Sequence, residues 1–460
     1  MNRVAAINIV GLSSHLIGEH MPNLKAWMEK GAQLSSINPT LPAVTCTAQS
    51  TYLTGKTPTD HGIVANGWYF RDECEVKLWR QSNRLVEAEK IWEKAKRINP
   101  AFTCANLFWW YNMYSSVDYS VTPRPQYLAD GRKMPDCYSH PASLRDELQE
   151  KLGTFPLFNF WGPNTSIKSS RWIAEAAQHV YDKHQPTLTL IYLPHLDYCL
   201  QKFDHDSPQV QKDLEEIDQL CHELIQFFEQ RDVQPIVLSG YGITPVSRPI
   251  HINRLLRKQG LIQVRIERGL ELLDAGASQA FAMADHQIAH VYVNDATQLE
   301  SIRKLLEATP GIAKVLDADS KKQHGLNHPR AGELVAIAEP DSWFTYYYWL
   351  DDKKAPDFAR KVEIHRKPGY DPAEMFLDPD KSFIYPRIAW KVLKKKLGFR
   401  MNMDVIPLRA DLVKGSHGAV DVPDSHKPIF ITKELAAQQI DATAVCDILL
   451  QQVFTDQILD

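Results

Sequence analysis

The sequence lacks several features that would each point to a particular class of protein. Basic residues are not in excess: 52 Lys and Arg face 56 Asp and Glu, which gives a net charge of −4. Nucleic acid is therefore not an expected partner. No apolar run reaches the roughly eighteen residues that a membrane-spanning helix needs. A transmembrane segment is therefore not expected either.

Paired cysteines are also lacking. The seven cysteines are scattered along the chain with no CxxC spacing, a pattern typical of reduced thiols rather than of a disulfide framework. The N-terminus has neither the long apolar core nor the small-residue cleavage site of a signal peptide, and it already has the pattern of a first strand. These observations predict a cytoplasmic protein.

Short apolar runs alternate with helical patterns along most of the chain. The runs VAAINIVGL, TLTLIYLPHLDY and QPIVLSGYG are rich in Val, Ile and Leu, as are strands that are buried on both faces. Helical patterns between them predict an α/β fold with a mostly parallel central sheet. Ligands of such sheets collect beyond the carboxyl ends of strands, which here means Val10, His195 to Tyr198, and Ser239 to Gly242.

Two regions interrupt this alternation. Residues 68–150 contain an aromatic cluster with turn-forming Pro and Asp, and residues 261–400 contain a small α/β pattern followed by the stretch SWFTYYYWLDD. We predict that residues 1–260 and 401–460 form the core. Residues 68–150 are interpreted as an insertion in that core, and residues 261–400 as a cap over the ligand end of the sheet.

The segment NPTLPAVTCTAQSTYLTGKTPTDHG carries the first candidate for chemistry. Pro39 and Pro42 favour an extended entry, after which Thr45 stands at the start of a helical pattern. Backbone N–H groups at a helix start stabilise an anion, so a hydroxyl there can act as a nucleophile. It can equally be an N-cap threonine with a structural role. The residues alone leave both interpretations open.

Four motifs occur in the following order along the chain: the segment around Thr45, then YLPHLDY, VLSGYGI and GSHGAVD. In these motifs the sequence resembles type I phosphodiesterases and nucleotide pyrophosphatases, including phosphonoacetate hydrolase, of the alkaline phosphatase superfamily. The resemblance implies an alkaline phosphatase-like α/β sandwich with inserted cap regions. It also implies a small phosphodiester, pyrophosphate or phosphonate as the partner molecule.

The resemblance implies a nucleophile and a metal site. Members of this family bind two divalent ions, usually zinc, and attack phosphorus with a threonine or serine. By position, Thr45 is then the nucleophile, and Asp197 and His417 are two ligands of one ion. Gln201 stands where a histidine ligand is expected and offers only a carbonyl oxygen.

Other positions depart from the family pattern. The aspartate expected after the first strand is Val10, and the expected Asp-His pair is Gly240-Tyr241. Ala48 replaces an asparagine that would donate to a phosphoryl oxygen. Only one carboxylate, Asp197, then remains to balance two divalent ions, and uncompensated buried charge is very costly. We therefore expect at most one metal ion, most simply zinc.

Candidate substrate contacts come from three side chains. The Tyr241 phenol can reach a substrate or fill the space of the lost pair, Arg124 can neutralise an anion, and Trp110 can stack on a ring. Aromatic runs such as the one around Trp110 are also typical of a buried core. A further segment, residues 387–400, combines apolar residues with lysines; it suits a solvated surface helix or contact with an anionic membrane.

Three functions remain compatible with these patterns. The first is hydrolysis of a small phosphate or phosphonate ester through Thr45. The second is a non-catalytic descendant that binds a small molecule or a partner protein. The third is a transferase or lyase reaction in a rebuilt pocket. We favour the enzyme because Thr45, Asp197 and His417 are retained together.

Overall fold

A computed structural model describes residues 1–129, 131–399, 401–435 and 437–454. Within these ranges the chain forms the α-helices α1 Pro22–Glu29, α2 Thr45–Thr54, α3 Pro58–His61, α4 Ile91–Ile98, α5 Ser143–Leu152, α6 Leu157–Phe160, α7 Ile167–His184, α8 His195–Lys202, α9 Pro208–Glu229, α10 Ile252–Lys258, α11 Leu299–Glu307, α12 Ala318–Gln323, α13 Ile384–Lys396 and α14 Val445–Val453.

The same ranges contain the strands β1 Arg3–Ile9, β2 Gln33–Asn38, β3 Gly67–Phe70, β4 Glu75–Leu78, β5 Cys104–Leu107, β6 Tyr119–Pro123, β7 Gln126–Tyr127, β8 Lys133–Met134, β9 Cys137–His140, β10 Leu188–Leu193, β11 Val233–Leu238, β12 Thr244–Pro245, β13 Arg248–Ile250, β14 Gln263–Glu267, β15 Leu270–Asp274, β16 Ala280–Asp285, β17 Ile288–Val293, β18 Ile312–Leu316, β19 Leu334–Ala338, β20 Ser342–Phe344, β21 Gly415–Ser416, β22 Ile429–Thr432 and β23 Gln439–Asp441.

A nine-stranded sheet forms the centre of the fold, in the order β23-β2-β22-β11-β1-β10-β5-β6-β9. Strands β11, β1, β10, β5 and β6 pair in parallel, whereas β22 and β9 pair antiparallel to their neighbours. Every residue of β10 is buried, so both faces of the sheet are covered there. The predicted α/β fold with a mostly parallel sheet is confirmed.

A second, four-stranded antiparallel sheet lies within residues 280–338, in the order β16-β17-β19-β18. Its buried side chains form one hydrophobic cluster with residues of the 63–111 region and with the aromatic stretch Trp343 to Trp349. These aromatic side chains are nearly inaccessible to solvent. They therefore serve as core.

Residues 68–150 contribute three strands, β5, β6 and β9, to the central sheet. The aromatic run that follows β5 bends the chain away from the sheet, with Phe108 and Tyr111 in the left-handed backbone region. The division of the chain into a core and a 261–400 cap stays a prediction. Among the described residues, none of the helices is both long and apolar enough to cross a membrane.

A buried ion cluster fixes the irregular segment that follows β20. The Lys367 Nζ atom lies 2.6 Å from an Asp371 carboxylate oxygen and 2.7 Å from one of Glu374, and all three side chains are almost completely buried. Burial raises the pKa of Asp371, and the ammonium group of Lys367 opposes that rise. The cluster holds Tyr370, which lies between Lys367 and Asp371 in the chain, against the site described below.

We predict that Lys367→Met lowers the free energy of unfolding by about 3–5 kcal/mol, because it leaves two buried carboxyl groups without their cation. Urea unfolding at neutral pH measures this change. Lys361→Met is the matched control: Lys361 pairs with Asp357 at 3.3 Å on a partly exposed surface, and its loss should cost less than about 1 kcal/mol. Equal losses in both variants would contradict a structural role for the buried cluster.

Candidate active site

The carboxyl ends of neighbouring strands bring the predicted residues together. Asp197 lies on α8, directly after β10, and Tyr241 lies three residues after the end of β11. Thr45 is the first residue of α2; Val44 occupies the N-cap position, and no side chain caps this helix end. The Thr45 hydroxyl is therefore not used as a cap.

A chain of hydrogen bonds links these side chains. The hydroxyl groups of Thr45 and Tyr241 are 2.8 Å apart, and the Tyr241 hydroxyl donates to Asp197 Oδ1 at 3.0 Å. The other carboxylate oxygen of Asp197 accepts from Gln201 Nε2 at 2.9 Å. Tyr370 in turn donates to Gln201 Oε1 at 2.7 Å. Five side chains from four separate parts of the chain thus form one network.

Burial dominates the electrostatics of Asp197. It raises the pKa of this carboxyl to about 7, although the hydrogen bonds from Tyr241 and Gln201 oppose the rise. Among the described residues, the group within ion-pair distance of Asp197 is the ring of His417, at 3.6 Å, and that ring is neutral because burial lowers its pKa to about 3. Asp197 is thus a carboxyl group that changes its protonation state near neutral pH.

His417 lies beside Asp197 and packs flat against Tyr241. The ring centroids of His417 and Tyr241 are 3.6 Å apart with an angle of 8° between the planes. His417 Nδ1 is 2.8 Å from the Ala43 carbonyl oxygen, whereas Nε2 has no hydrogen-bond partner and lies 3.6 Å from Asp197 Oδ1. Burial lowers the pKa of His417 to about 3, so the ring is neutral with its Nε2 lone pair free.

A hairpin of the second sheet reaches the site, which the sequence did not predict. His286 stands at the hairpin tip with a positive φ of 62°, and its ring packs 3.7 Å from those of both His417 and Tyr370. His286 lies between the two strands of the hairpin, since β16 ends at Asp285 and β17 begins at Ile288. The run ADHQ between two apolar runs was the available signal for this turn.

Asp285, also in the hairpin, supports the start of α2 through Asn66. Its carboxylate accepts from Asn66 N at 2.8 Å and from Asn66 Nδ2 at 3.0 Å. Asn66 Oδ1 then accepts from the backbone N–H of Cys46 at 3.0 Å, which immediately follows Thr45. The second sheet therefore helps to position Thr45.

Three of the positions that depart from the family pattern are packed against apolar neighbours. Val10 is buried in the core. A Cβ atom added to Gly240 would lie 3.1 Å from the Ala48 Cβ atom, so these two positions face each other at close range. A side chain at 240 would therefore require a small shift of its neighbour.

The turn that carries Tyr241 is fixed on both sides. Ser239 Oγ donates to the Leu12 carbonyl oxygen at 2.6 Å and accepts from the Ile429 N–H at 2.9 Å. A side chain at Gly242 would place its Cβ atom 1.9 Å from the His426 carbonyl oxygen, so only glycine fits there. These contacts hold the phenol of Tyr241 in one place.

The other two predicted substrate contacts, Trp110 and Arg124, are not members of the hydrogen-bonded network around Thr45. Trp110 is 8% exposed, packs against Trp79 at 4.9 Å, and donates its backbone N–H to Gln49. Burial raises the pKa of Tyr192, which the sequence did not single out, while the side chains of Trp110 and Thr45 beside it oppose the rise. Arg124 is exposed and lies near Tyr127 and His365 rather than in the Thr45 network.

The donors in the network fit one divalent ion and do not fit two. Asp197 Oδ1 and His417 Nε2 are separated by 3.6 Å, close to the roughly 3.4 Å between two ligands of a tetrahedral zinc ion. A second ion would face Val10, Gly240 and the neutral phenol of Tyr241, none of which balances its charge. Burial raises the pKa of that phenol well above its usual value.

Another group of possible ligands lies outside the network. His195 on α8 and Asp213 and Glu216 on α9 offer three atoms within 4.8 Å of one another. His195 Nε2 is 3.4 Å from Asp213 and 3.8 Å from Glu216. Among the described residues, no other group of three His, Cys, Asp or Glu side chains has its ligand atoms this close together.

The fold and the arrangement of the site agree with the family that the sequence motifs resemble. The family profile of type I phosphodiesterase / nucleotide pyrophosphatase matches residues 4–371. The chain belongs to this family.

Solved structures share the fold at low sequence identity. Murine ectonucleotide pyrophosphatase / phosphodiesterase 5, as an inactive variant in complex with AMP, superposes with a TM-score of 0.60 at 14% identity, covering 98% of this chain and 95% of that one. Phosphonoacetate hydrolase from Sinorhizobium meliloti in complex with phosphonoformate gives 0.61 at 14% identity, covering 98% and 96%.

A curated relative is an uncharacterized pyrophosphatase/phosphodiesterase of Schizosaccharomyces pombe. It is 26% identical over 255 residues, which are 53% of this chain and 45% of that protein. The match thus spans under half of that relative's length.

The raised pKa of Asp197 predicts a pH dependence of stability in the metal-free protein. The pKa of Asp197 is about 7 in the folded protein, above its ordinary value of 3.8. Such a carboxyl contributes stability that is fully present below about pH 4 and is lost as the pH rises through 7. Asp197→Asn keeps the shape and can still accept from Gln201 and bond to Tyr241. It should therefore stabilise the protein at pH 8.5 by up to about 4 kcal/mol.

Urea unfolding in the presence of a chelator at several pH values checks this prediction. The difference between Asp197→Asn and the wild type should shrink toward pH 4. Asp285, whose pKa burial also raises to about 7, is present in both proteins and cancels in the comparison. If the difference in the free energy of unfolding does not grow with pH, the pKa of Asp197 is not raised in the folded protein.

Proposed function

We propose that this protein hydrolyses a small phosphodiester, pyrophosphate or phosphonate substrate, with Thr45 as the nucleophile and with at most one divalent ion. The observation that carries the proposal is the hydrogen-bond chain from Thr45 through Tyr241 to Asp197. It places a reactive hydroxyl at a helix start and connects it to a carboxylate that titrates near neutral pH.

In the proposed reaction the chain of hydrogen bonds moves one proton. The Thr45 proton passes to the Tyr241 oxygen while the Tyr241 proton passes to the Asp197 carboxylate, so that the phenol is neutral before and after the transfer. Thr45 Oγ1 then forms a bond to phosphorus and the leaving group departs. In a second step water breaks the threonine–phosphorus bond: its hydroxyl goes to phosphorus and its proton to Thr45 Oγ1. Asp197 gives its proton to the leaving group, and both residues are restored.

The pKa values of the participants suit these roles. A general base works best when its pKa lies near the working pH, and burial holds the pKa of Asp197 at about 7. Tyr241 cannot act as a stable phenolate, because burial raises the pKa of its hydroxyl well above the usual range. It is therefore proposed to relay a proton between Thr45 and Asp197.

Asp197 and His417 would hold the single metal ion, with Thr45 beside them and Gln201 as a further oxygen donor. His417 has the arrangement of a metal-ligating histidine, because Nδ1 bonds to a backbone carbonyl while Nε2 faces Asp197 without a partner. When bound, a divalent ion would supply positive charge that lowers the pKa of a bound hydroxyl. It would also keep Asp197 ionised as a ligand, so the proton-accepting role of Asp197 belongs to the metal-free site. Zinc suits a set of one nitrogen and several oxygen ligands.

Substrate recognition is proposed to involve Tyr241 and Trp110. The Tyr241 hydroxyl can donate to a phosphoryl oxygen in place of Asp197. Trp110 lies beside Tyr192, as Thr45 does, and is 8% exposed. Arg124 lies outside the network, so its proposed contact is with a more distant anionic part of a substrate.

A second candidate function is binding without catalysis, and one observation favours it. The network is nearly closed to solvent: Thr45 is 5% exposed, Asp197 7% and Tyr241 1%. A substrate must displace side chains to reach the Thr45 hydroxyl. A protein that binds a ligand or partner elsewhere on this fold has no such requirement.

We predict that Thr45→Ala lowers kcat/KM at least about a thousandfold, since it removes the proposed nucleophile. Tyr241→Phe should lower kcat/KM by about 10²–10⁴ through loss of the proton relay. Suitable assays use bis(p-nitrophenyl) phosphate, ATP and phosphonoacetate as representatives of the three substrate classes. Product release over time gives kcat/KM for each variant.

Tyr52→Phe provides the matched control. Tyr52 is a buried tyrosine whose hydroxyl donates to the Ser239 carbonyl oxygen at 2.8 Å, outside the Thr45 network. Its loss should leave kcat/KM within a few fold. Activity that survives Thr45→Ala would exclude the proposed nucleophile, whereas wild type inactive on all three substrates would favour the binding function.

The metal content gives a separate test. We expect at most one divalent ion per chain after dialysis, measured by inductively coupled plasma mass spectrometry. Asp197→Asn should remove that ion, and Glu216→Gln should not. An ion lost only in Glu216→Gln would belong to the His195 group instead, and two ions per chain that both depend on Asp197 would contradict the charge argument.

The proposed compartment remains the cytoplasm. All seven cysteines are free, and six of them are buried, which agrees with the scattered pattern in the sequence. Solvent-exposed Cys74 would be the thiol that reacts first.

A further inference from the structure

Helix α13 attaches to the protein by one face only. Ile384 and Ile388 pack against a small buried cluster formed by Ala373, Val405 and Ile406. Lys391, on the same side, bonds to Asp404 and to the Asn402 carbonyl oxygen. The remaining surface of the helix faces away from these contacts.

The outward surface of α13 is apolar. Trp390, Leu393 and Leu397 recur at helical spacing on the side opposite Ile384 and Ile388, and they are 57%, 46% and 64% exposed. Seven of the sixteen exposed large hydrophobic side chains among the described residues lie within positions 383–399, namely Phe383, Tyr385, Trp390, Val392, Leu393, Leu397 and Phe399. A contiguous exposed patch of this kind marks an interaction surface.

The same segment is strongly basic in a chain that is acidic overall. Positions 383–400 contain six Lys and Arg and no Asp or Glu, whereas the whole chain has a net charge of −4. Arg387, Lys394 and Lys396 are exposed and flank the apolar side chains. The Lys394 ammonium lies 5.3 Å from the centre of the Trp390 ring, so charge and aromatic surface are adjacent.

We propose that α13 binds the surface of an anionic membrane, lying parallel to it with Trp390, Leu393 and Leu397 inserted at the headgroup level. A helix with an apolar face, flanking lysines and aromatic side chains has the composition of an interfacial helix. Tryptophan suits the boundary between headgroups and acyl chains. Lysine and arginine near the surface attract anionic lipid headgroups.

Charge complementarity favours lipid over a second copy of this chain. Two copies that met through this face would bring two basic segments together with no acidic residue in either segment to balance them. A groove lined by Arg387, Trp390, Lys394 and Met401 offers basic side chains to a headgroup. The length of α13, thirteen residues, suits a helix that lies on a bilayer and does not cross it.

This surface is connected to the candidate active site by a short segment. Ala373, in the cluster that supports α13, lies three residues after Tyr370, whose hydroxyl donates to Gln201. Docking through α13 would therefore hold the Thr45 network close to the membrane surface. The membrane inference itself does not depend on the proposed hydrolysis.

Vesicle co-sedimentation with the full chain tests the proposal. Vesicles of phosphatidylcholine with 30% phosphatidylserine should bind the protein at least tenfold more tightly than vesicles of phosphatidylcholine alone (each basic residue near an anionic surface strengthens binding several-fold). The double variant Trp390→Ala/Leu397→Ala should weaken binding at least tenfold. Lys394→Gln/Lys396→Gln should also weaken it, and should reduce its sensitivity to salt.

The control is Ile266→Ala/Leu350→Ala, which removes two equally exposed apolar side chains, 61% and 52% accessible, far from α13 in the sequence. It should bind vesicles as the wild type does, and circular dichroism confirms that each variant is folded. Equal binding by the Trp390/Leu397 variant and the wild type would overturn the proposal. So would a dimer, seen by light scattering without vesicle binding, that the same variant disrupts.

Discussion

The structure around Thr45 depends on a carboxylate that is buried without a charged partner. The Asp197 carboxylate accepts hydrogen bonds from two neutral donors, Tyr241 and Gln201. Neutral hydrogen bonds stabilise an ion less than a cation does, so the pKa of Asp197 stays high. The other features of the network follow from this weaker stabilisation of the carboxylate, including the need for a hydrogen-bond donor at position 241.

Tyr241 joins the separate parts of the site. Its hydroxyl bonds to both Thr45 and Asp197, and its ring packs on His417. A buried polar group that loses its partner costs about 1–3 kcal/mol, so the phenol stabilises both of its neighbours. On the adjoining side, Gly240 and Ala48 meet at close range.

Much of this arrangement follows from local patterns in the sequence. Apolar runs predict the strands, and the rule for parallel sheets places Asp197 and Tyr241 beyond the ends of two of them. His286, Tyr370 and Asn66 could not be predicted, because they reach the site through contacts between segments far apart in the chain. Composition said less about residues 68–150, which were interpreted as an insertion in the core and which contribute β5, β6 and β9 to the central sheet.

The position of β22 in the chain determines when, during synthesis, the central sheet can form around the Thr45 segment. Strand β2, which leads into the Thr45 segment, pairs only with β22 and β23 among the described residues, and both lie beyond residue 428. A growing chain therefore cannot join β2 to the rest of the sheet until β22 has left the ribosome. His417 also lies far along the chain, so the hydrogen-bonded network around Thr45 and the His417 ring beside it come together only after the segments before them have been made.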